Sequence, residues 1–135
     1  MKDDIFLVDT NIWIEYFRRN PTHKNLKIIK AINELEKNCK VIICGIILAE
    51  FIQGLGKSYK ELSARQILEN HEFLSSSKEI YILAGEFSRN LVEKGFKTPL
   101  SDCLIAAQAI SYGIVLVSND PHFKRFKELK LKFLG

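Results

Sequence analysis

The sequence has few of the residues that mark disulfide-rich or zinc-binding proteins. Among 135 residues there are 3 cysteines, and Cys39, Cys44 and Cys103 form no CxxC pair. Structural zinc sites and disulfide frameworks normally use paired cysteines at characteristic spacings, so the sequence supports neither. Because Cys44 and Cys103 lie in apolar segments, we predict that they are buried free thiols.

Long hydrophobic runs are also absent. No apolar stretch approaches the roughly 20 residues that a membrane-spanning helix needs, and the start Met1-Lys2-Asp3-Asp4 is acidic where a signal peptide is basic. Apolar residues make up 47% and charged residues 27%, which is typical of soluble globular proteins and excludes disorder and fibrous repeats. We therefore expect a cytoplasmic protein with no membrane partner, folded as a single domain over residues 1–135.

Negative charge is scarce towards the C-terminus. The formal net charge is +4 and the sequence pI is near 9.0. Only Glu128 opposes a cluster of basic residues, which we call the C-terminal basic cluster: Lys124, Arg125, Lys127, Lys130 and Lys132. A basic surface is typical of proteins that bind an anionic substrate such as nucleic acid. The alternative is an ordinary solvated face.

Strand-like and helix-like patterns alternate along the chain. The predicted strands are Ile5–Asp9, Val41–Cys44, Ile114–Val117 and a short Leu131–Leu134. The predicted helices are Asn11–Arg18, Asn25–Asn38, Ile46–Gln53, Ser58–Leu74, Glu79–Lys94 and one that starts at Pro99-Leu100-Ser101 and runs to Tyr112, with a loop at Arg19–Thr22. Gly95 and Gly113 are placed to end two of these helices. Apolar strands alternating with helices favour a three-layer α/β/α fold with a central parallel sheet of four or five strands.

Four acidic residues lie at the edges of these elements. Asp9 and Asp120 come at or just after the ends of apolar strands, and Glu50 and Asp102 lie in helices that can start near the same edge. Binding sites in parallel α/β sheets form outside the carboxyl ends of the strands, near a topological switch point. We therefore expect Asp9, Glu50, Asp102 and Asp120 to be neighbours.

Three of these acids also have an ordinary structural explanation. Asp9 is a suitable N-cap for the helix near Asn11, Asp102 is a first-turn acid that the helix dipole favours, and Asp120 precedes Pro121 as at many helix starts. Each alternative stays open from the sequence alone.

Glu50 is harder to explain in this way. Its helical neighbours Ile46, Ile47 and Phe51 are apolar, and no lysine or arginine occurs between Lys40 and Lys57. An ionised carboxylate on such a face requires a cation, a proton or access to solvent. A metal ion would meet that requirement, and so would a distant arginine.

Converging carboxylates repel one another unless cations lie between them. Mg²⁺ or Mn²⁺ suits such a site because both ions prefer oxygen ligands, and two ions can activate a water and stabilise the leaving oxygen of a phosphodiester. His23, His71 and His122 have no partner that the sequence identifies, so we predict that they are surface histidines.

Four segments in this order resemble the PIN-domain family. They are Leu7-Val8-Asp9-Thr10-Asn11, Ala49-Glu50-Phe51-Ile52-Gln53-Gly54, Leu100-Ser101-Asp102-Cys103-Leu104-Ile105-Ala106-Ala107 and Leu116-Val117-Ser118-Asn119-Asp120-Pro121-His122-Phe123. A stand-alone domain of this size is most similar to the VapC-type toxins of toxin-antitoxin pairs. The resemblance implies a metal-dependent endoribonuclease that binds one or two Mg²⁺ or Mn²⁺ ions, forms a homodimer and is covered by a cognate antitoxin protein.

The resemblance also implies roles for particular residues. The catalytic and metal-binding acids would be Asp9, Glu50, Asp102 and Asp120, with Asn11 and Ser118 as polar helpers that orient water or a neighbouring carboxylate. The chain departs from the family pattern at His122, where many relatives have another acid, and at Ser118, where threonine is commoner. The first departure leaves the number of bound ions open.

The leading hypothesis is therefore RNA hydrolysis by a toxin nuclease. The same acids would suit a PIN-type nuclease that acts in RNA processing or on structured DNA. A catalytically silent nucleic-acid-binding protein is a further alternative. A receiver-like signalling domain fits less well, because Asp3 and Asp4 precede the first strand and Asp9 is followed by Thr10-Asn11 rather than a second acid.

Overall fold

The chain folds as alternating strands and helices, as the pattern predicts. The computed structural model describes residues 4–18, 20–56 and 59–134. Within these ranges the strands are β1 Ile5–Val8, β2 Lys40–Cys44, β3 Glu72–Leu74, β4 Val115–Ser118 and β5 Lys130–Phe133. The helices are α1 Thr10–Tyr16, α2 His23–Asn38, α3 Gly45–Gln53, α4 Tyr59–Glu69, α5 Lys78–Glu93 and α6 Leu100–Tyr112, with a 3₁₀-helix at Pro121–Arg125. None of the helices in these ranges is long and apolar enough to span a bilayer.

The strands form one parallel sheet in the order β3-β2-β1-β4-β5. This sheet, flanked by the helices, confirms the predicted three-layer α/β/α fold class. The central strands are apolar because helices cover both of their faces. Leu7 and Val8 of β1 and Leu116 and Val117 of β4 are fully buried.

The order of the strands creates a switch point beside β1. Phe6 of β1 lies opposite Val41 of β2 on one side and Val115 of β4 on the other. The chain therefore adds β2 and β3 to one side of β1 before it crosses over and adds β4 and β5 to the other. The loops that leave the carboxyl ends of β1 and β4 run in opposite directions and leave a crevice between them.

Helices α1 and α3 direct their apolar residues away from this crevice. Ile12 and Trp13 of α1 and Ile47 and Phe51 of α3 are buried in the core. This packing leaves the more polar side of each helix, which includes Glu50, at the crevice.

One predicted element is wrong in part. The helix expected over Ser58–Leu74 ends at Glu69, and Glu72–Leu74 forms the edge strand β3. The strand has no continuous buried apolar run, because Glu72 and Phe73 are exposed. It is held by backbone pairing with β2, in which Ile42 lies opposite Glu72 and Cys44 opposite Leu74. Ser58 and Arg19, the first residues of the predicted helix and loop, lie outside the described residues.

The predicted glycine stops and buried thiols are confirmed. Gly95 and Gly113 have φ angles of 86° and 65°, a left-handed conformation that glycine adopts without a steric penalty. Gly113 turns the chain from α6 directly into β4. Cys44 and Cys103 are buried free cysteines.

Candidate active site

An open cleft of about 460 Å³ lies at the switch point. Its lining includes all of the acids expected to meet and also Asn11: Asp9, Thr10, Asn11, Glu50, Gln53, Pro99, Ser101, Asp102, Asp120 and His122. The fully buried Ser118 lies beside the cleft and hydrogen-bonds to Asp9. The topology thus brings together side chains that are far apart in sequence.

Asp9 is both a helix cap and a cleft carboxylate. It is the N-cap residue of α1, and its backbone oxygen accepts hydrogen bonds from the amides of Ile12 and Trp13 at 3.1 and 3.2 Å. One side-chain oxygen accepts from the Thr10 amide at 2.8 Å, and the other accepts from the Ser118 hydroxyl at 2.8 Å. Asp9 can therefore cap α1 and line the cleft at the same time. The residue is 5% exposed, and its side chain is held in place by these hydrogen bonds.

Ser118 connects two of the acids. Besides donating to Asp9, its hydroxyl oxygen accepts a hydrogen bond from the Asp120 amide at 3.0 Å. Asp120 caps the 3₁₀-helix by accepting from the His122 amide at 2.9 Å, which confirms that Asp120-Pro121 opens a helical turn. The end of β4 is thereby fixed against the end of β1.

Glu50 reaches the cleft from α3 and is half-buried. Its Oε1 accepts a hydrogen bond from the Thr10 hydroxyl at 3.2 Å. Among the residues that the structure describes, no lysine or arginine forms a salt bridge with it. Its charge is therefore accommodated by access to the open cleft rather than by a cation of the protein.

Of the histidines predicted to lie at the surface, His122 is 38% exposed but belongs to the cleft, and His71 is nearly buried. His122 lines the cleft, with its Nδ1 3.5 Å from Asp102 Oδ2 and 3.6 Å from Asp120 Oδ1. The His71 side chain is only 9% exposed, and its Nε2 lies 2.6 Å from Glu36 Oε1. The family resemblance singles out position 122, but the contact of His122 with Asp102 depends on how the 3₁₀-helix packs against α6. The burial of His71 depends on residues that are remote in the sequence.

Burial and neighbouring charges raise the pKa values of two acids in the cleft, Asp9 and Asp102. Burial is the largest cause that raises the pKa of Asp9 to about 6, the charges of Asp102 and Glu50 add to it, and the hydrogen bonds from Ser118 and Thr10 oppose it. Burial and then the charge of Asp120 also raise the pKa of Asp102, while His122 lowers it. The protein alone therefore does not neutralise this cleft.

Part of the cleft has the donor set of a metal site. Asp102, Asp120 and His122 each offer one ligand atom, and these atoms lie within 4.8 Å of one another. The His122 Nδ1 is buried without a hydrogen-bond partner. Carboxylate and imidazole groups are suitable ligands for divalent ions, so the residues present fit such an ion.

The C-terminal basic cluster is partly structural. The Lys124 ammonium lies 4.0 Å from the centre of the Phe133 ring. Arg125 donates to the Lys97 carbonyl at 3.2 Å and to the Thr98 hydroxyl at 2.9 Å. Arg125 thus ties the 3₁₀-helix to the loop that leads into α6, and it serves the geometry of the cleft as well as the surface charge.

Comparison with known proteins places this arrangement in context. The PIN domain family matches residues 6–129. The chain is 31% identical to Ribonuclease VapC2 of Rickettsia felis, over 95% of this chain and 96% of that protein. It is 30% identical to Ribonuclease VapC1 of Haemophilus influenzae, over 93% of this chain and 95% of that protein. The crystal structure of VapBC2 from Rickettsia felis bound to a promoter DNA fragment is similar, with a TM-score of 0.78 and 29% identity over 96% of this chain and 98% of that chain.

Proposed function

Because this chain belongs to the PIN-domain family and, within it, to the VapC ribonucleases, we propose that it is a cytoplasmic toxin endoribonuclease that cleaves RNA phosphodiester bonds. We further propose that it depends on Mg²⁺ or Mn²⁺, with one or two ions bound.

The meeting of Asp9, Glu50, Asp102 and Asp120 in one cleft carries this proposal. No lysine or arginine of the described residues forms a salt bridge with any of them. A cluster of acids at the switch point of a protein with a net positive charge suits a polyanionic substrate that is bound together with cations.

The protein's part in the reaction is to hold these oxygens in place. A bound divalent ion would supply an activated water and neutralise charge on the phosphate. The hydrogen bonds from Thr10 and Ser118 fix both oxygens of Asp9, and Thr10 also fixes one oxygen of Glu50. Asp102 and Asp120 converge on the other side of the cleft, and Asn11 at its rim is placed to orient water or a phosphate oxygen. Attack of water on the phosphorus atom, in line with the leaving 3′-oxygen, would give a 5′-phosphate and a 3′-hydroxyl.

The test is cleavage of a defined labelled RNA in Mg²⁺ or Mn²⁺ by the wild type, Asp9→Asn and Asp102→Asn. We expect each variant to lose about a hundredfold to a thousandfold in rate, since the loss of one charge-stabilising group typically costs 10²–10³. Glu86→Gln, which alters an exposed acid on α5, is the matched control and should cleave normally. Unchanged cleavage by Asp102→Asn, or cleavage that resists chelation, would refute the proposal. Stronger cleavage of DNA than of RNA would favour the alternative nuclease function.

We also propose that a cognate antitoxin covers the cleft. The similar Rickettsia felis structure is a VapBC complex. In this chain, helices α1 and α3, which also contribute residues to the cleft, form an apolar groove together with α4. The groove is lined in part by Ile14, Phe17, Phe51 and Leu55. Ile14 is 45% exposed and would be covered by an apolar segment of the partner. Ile14→Glu should abolish co-purification with the co-expressed antitoxin while RNA cleavage by the toxin alone persists.

A homodimer is the second partner that we propose. Phe73, Tyr81 and Ile82 are 55%, 58% and 52% exposed, and large exposed apolar side chains of this kind are common at protein interfaces. Light scattering coupled to gel filtration should give twice the mass of one chain, and Tyr81→Glu should reduce it to one.

A further inference from the structure

His122 is the cleft residue whose contacts the proposed function leaves unexplained. Its Nδ1 is buried and has no hydrogen-bond partner. The nearest acidic oxygens, Asp102 Oδ2 and Asp120 Oδ1, are 3.5 and 3.6 Å away, which is too far for hydrogen bonds. An unpaired buried nitrogen between two carboxylates is unfavourable unless something else lies between them.

The distances from His122 suit ligands of one ion. Two ligands of an ion with bonds of roughly 2.1 Å are at most about 4.2 Å apart, and the distances from His122 Nδ1 to the two carboxylates are below that limit. The ligand atoms of the three residues all lie within 4.8 Å of one another, so a small shift of the side chains brings them around one ion. The two acids come from different elements, Asp102 from the first turn of α6 and Asp120 from the end of β4. The hydrogen bond from the His122 amide to Asp120 holds the histidine backbone in place at 2.9 Å.

We propose that His122 is a metal ligand, supplying its Nδ1 beside one carboxylate oxygen of Asp102 and one of Asp120. This inference rests on the proposed nuclease function. Coordination requires a lone pair on Nδ1, so the ring hydrogen is carried by Nε2.

A histidine ligand has a consequence for metal preference. Imidazole is a softer ligand than carboxylate and is therefore better suited to a transition-metal ion such as Mn²⁺ than to Mg²⁺, whereas carboxylate suits both ions. The wild type should therefore prefer Mn²⁺ to Mg²⁺ more strongly than the His122→Asp variant does. We expect the ratio of the two affinities to fall by roughly tenfold in that variant, in the range seen when metal-site groups are altered.

The direct test is electron spin echo envelope modulation of Mn²⁺ bound to the full chain. The wild type should show coupling to an imidazole ¹⁴N, and labelling with ¹⁵N-histidine should replace it with ¹⁵N coupling. His122→Asn should lose the coupling, and Mn²⁺ affinity should fall by roughly tenfold or more. The matched control, His23→Asn, alters an exposed histidine at the start of α2 and should keep both.

The outcomes separate this inference from the proposed function. The inference fails if Mn²⁺ binds to the wild type but shows no coupling to a histidine nitrogen. The proposed nuclease function is retained in that case if Asp102→Asn abolishes both Mn²⁺ binding and RNA cleavage. Nitrogen coupling that persists in His122→Asn also overturns the inference. If neither metal binding nor cleavage is found, both proposals fail. Should His122→Asn not fold, the labelled wild type and His23→Asn decide, because His71 is committed to Glu36 outside the cleft.

Discussion

The two ends of the parallel sheet treat their charged side chains in opposite ways. At the amino end, Lys40 Nζ lies 2.5 Å from Glu72 Oε2, and His71 Nε2 lies 2.6 Å from Glu36 Oε1. At the carboxyl end, the four cleft acids form no salt bridge with a lysine or arginine of the described residues. These acids are Asp9, Glu50, Asp102 and Asp120. Among the described residues, the basic group nearest to these acids is the imidazole of His122, which lies 3.5 Å from Asp102 and 3.6 Å from Asp120. The amino end thus pairs Glu36 and Glu72 each with its own basic group, whereas the carboxyl end has one histidine for its four acids and leaves room for a cation from outside.

This difference is the one expected if the carboxyl end carries the proposed function. Acids that only stabilise a fold are expected to have partners, since an unpaired acid in a partly buried site lowers stability. A functional site retains such acids because their charge is needed for binding. Removal of an acid should therefore have opposite effects on stability at the two ends of the sheet.

The largest expected effect is at Asp9. Its folded-state pKa is raised from 3.8 to about 6, so the folded protein binds its proton more tightly than the unfolded chain does. The associated stability is present in full below about pH 4, declines as the pH rises and is lost above about pH 6, a total of about 3 kcal/mol. Asp9→Asn should be more stable than the wild type by up to that amount at pH 8 with a chelator.

Urea unfolding at pH 4.5 and pH 8 measures this effect. Added Mg²⁺ should reduce the advantage of the variant, since the ion would stabilise only the wild-type carboxylate. If Asp9→Asn were less stable than the wild type at pH 8, removal of an acid would lower stability at both ends of the sheet, and the proposed contrast would be wrong.

A smaller effect is expected at Ser118, which is polar but belongs to the framework of the cleft. Ser118→Ala removes the donor to Asp9 and the acceptor for the Asp120 amide. Because one of these bonds involves a carboxylate, we expect a loss of about 2 kcal/mol in unfolding free energy and slower RNA cleavage. Ser118→Thr retains the hydroxyl and is the control. Equal losses in both variants would point to packing rather than to the hydrogen bonds.

At the amino end, Glu36→Gln should destabilise the protein by about 1 kcal/mol, because it weakens the contact with the nearly buried His71. RNA cleavage should not change, since the pair lies at the amino end of the strands and the cleft lies at their carboxyl end. Chemical denaturation and the RNA assay on the same preparation check both points. If Glu36→Gln increased the unfolding free energy instead, removal of an acid would have the same effect on stability at both ends of the sheet.

The smallest effect is expected for Lys40→Met. Both partners of this ion pair are more than half exposed, at 52% and 59%, and exposed pairs contribute only about 0.2–1 kcal/mol. A change in midpoint urea concentration close to the error of the measurement is therefore the expected result. A loss as large as that of Ser118→Ala would mean that the edge strand β3 depends on this pair.

The sequence predicted the elements whose apolar pattern is continuous. The runs around Leu7 and Leu116 identified the strands, and their ends located Asp9 and Asp120. The edge strand β3 was taken as the end of a helix because its pairing with β2 lies in the backbone and leaves no pattern in its side chains. Short exposed strands of this kind are set by their neighbour rather than by their own residues.

The site was predictable in outline for the same reason. Switch-point topology places the carboxyl ends of β1 and β4 together, so the meeting of the acids follows from the strand order. The position of His122 beside Asp102, 20 residues earlier, depends on the angle between the 3₁₀-helix and α6. The burial of His71 depends on α2 and on Trp13, whose ring lies 5.3 Å away. Neither contact leaves a local trace in the sequence.

The hydrogen bond from Ser118 to Asp9 joins residues 109 positions apart, and this separation bears on how the protein is made. Strand β1 is synthesised long before its neighbour β4 and the acid at position 120. Domains fold as units during synthesis, and long-range parallel pairings form late. A chain in which β4 has not yet been made therefore lacks the complete set of cleft acids, and the cleft can assemble only after residue 120 has been added.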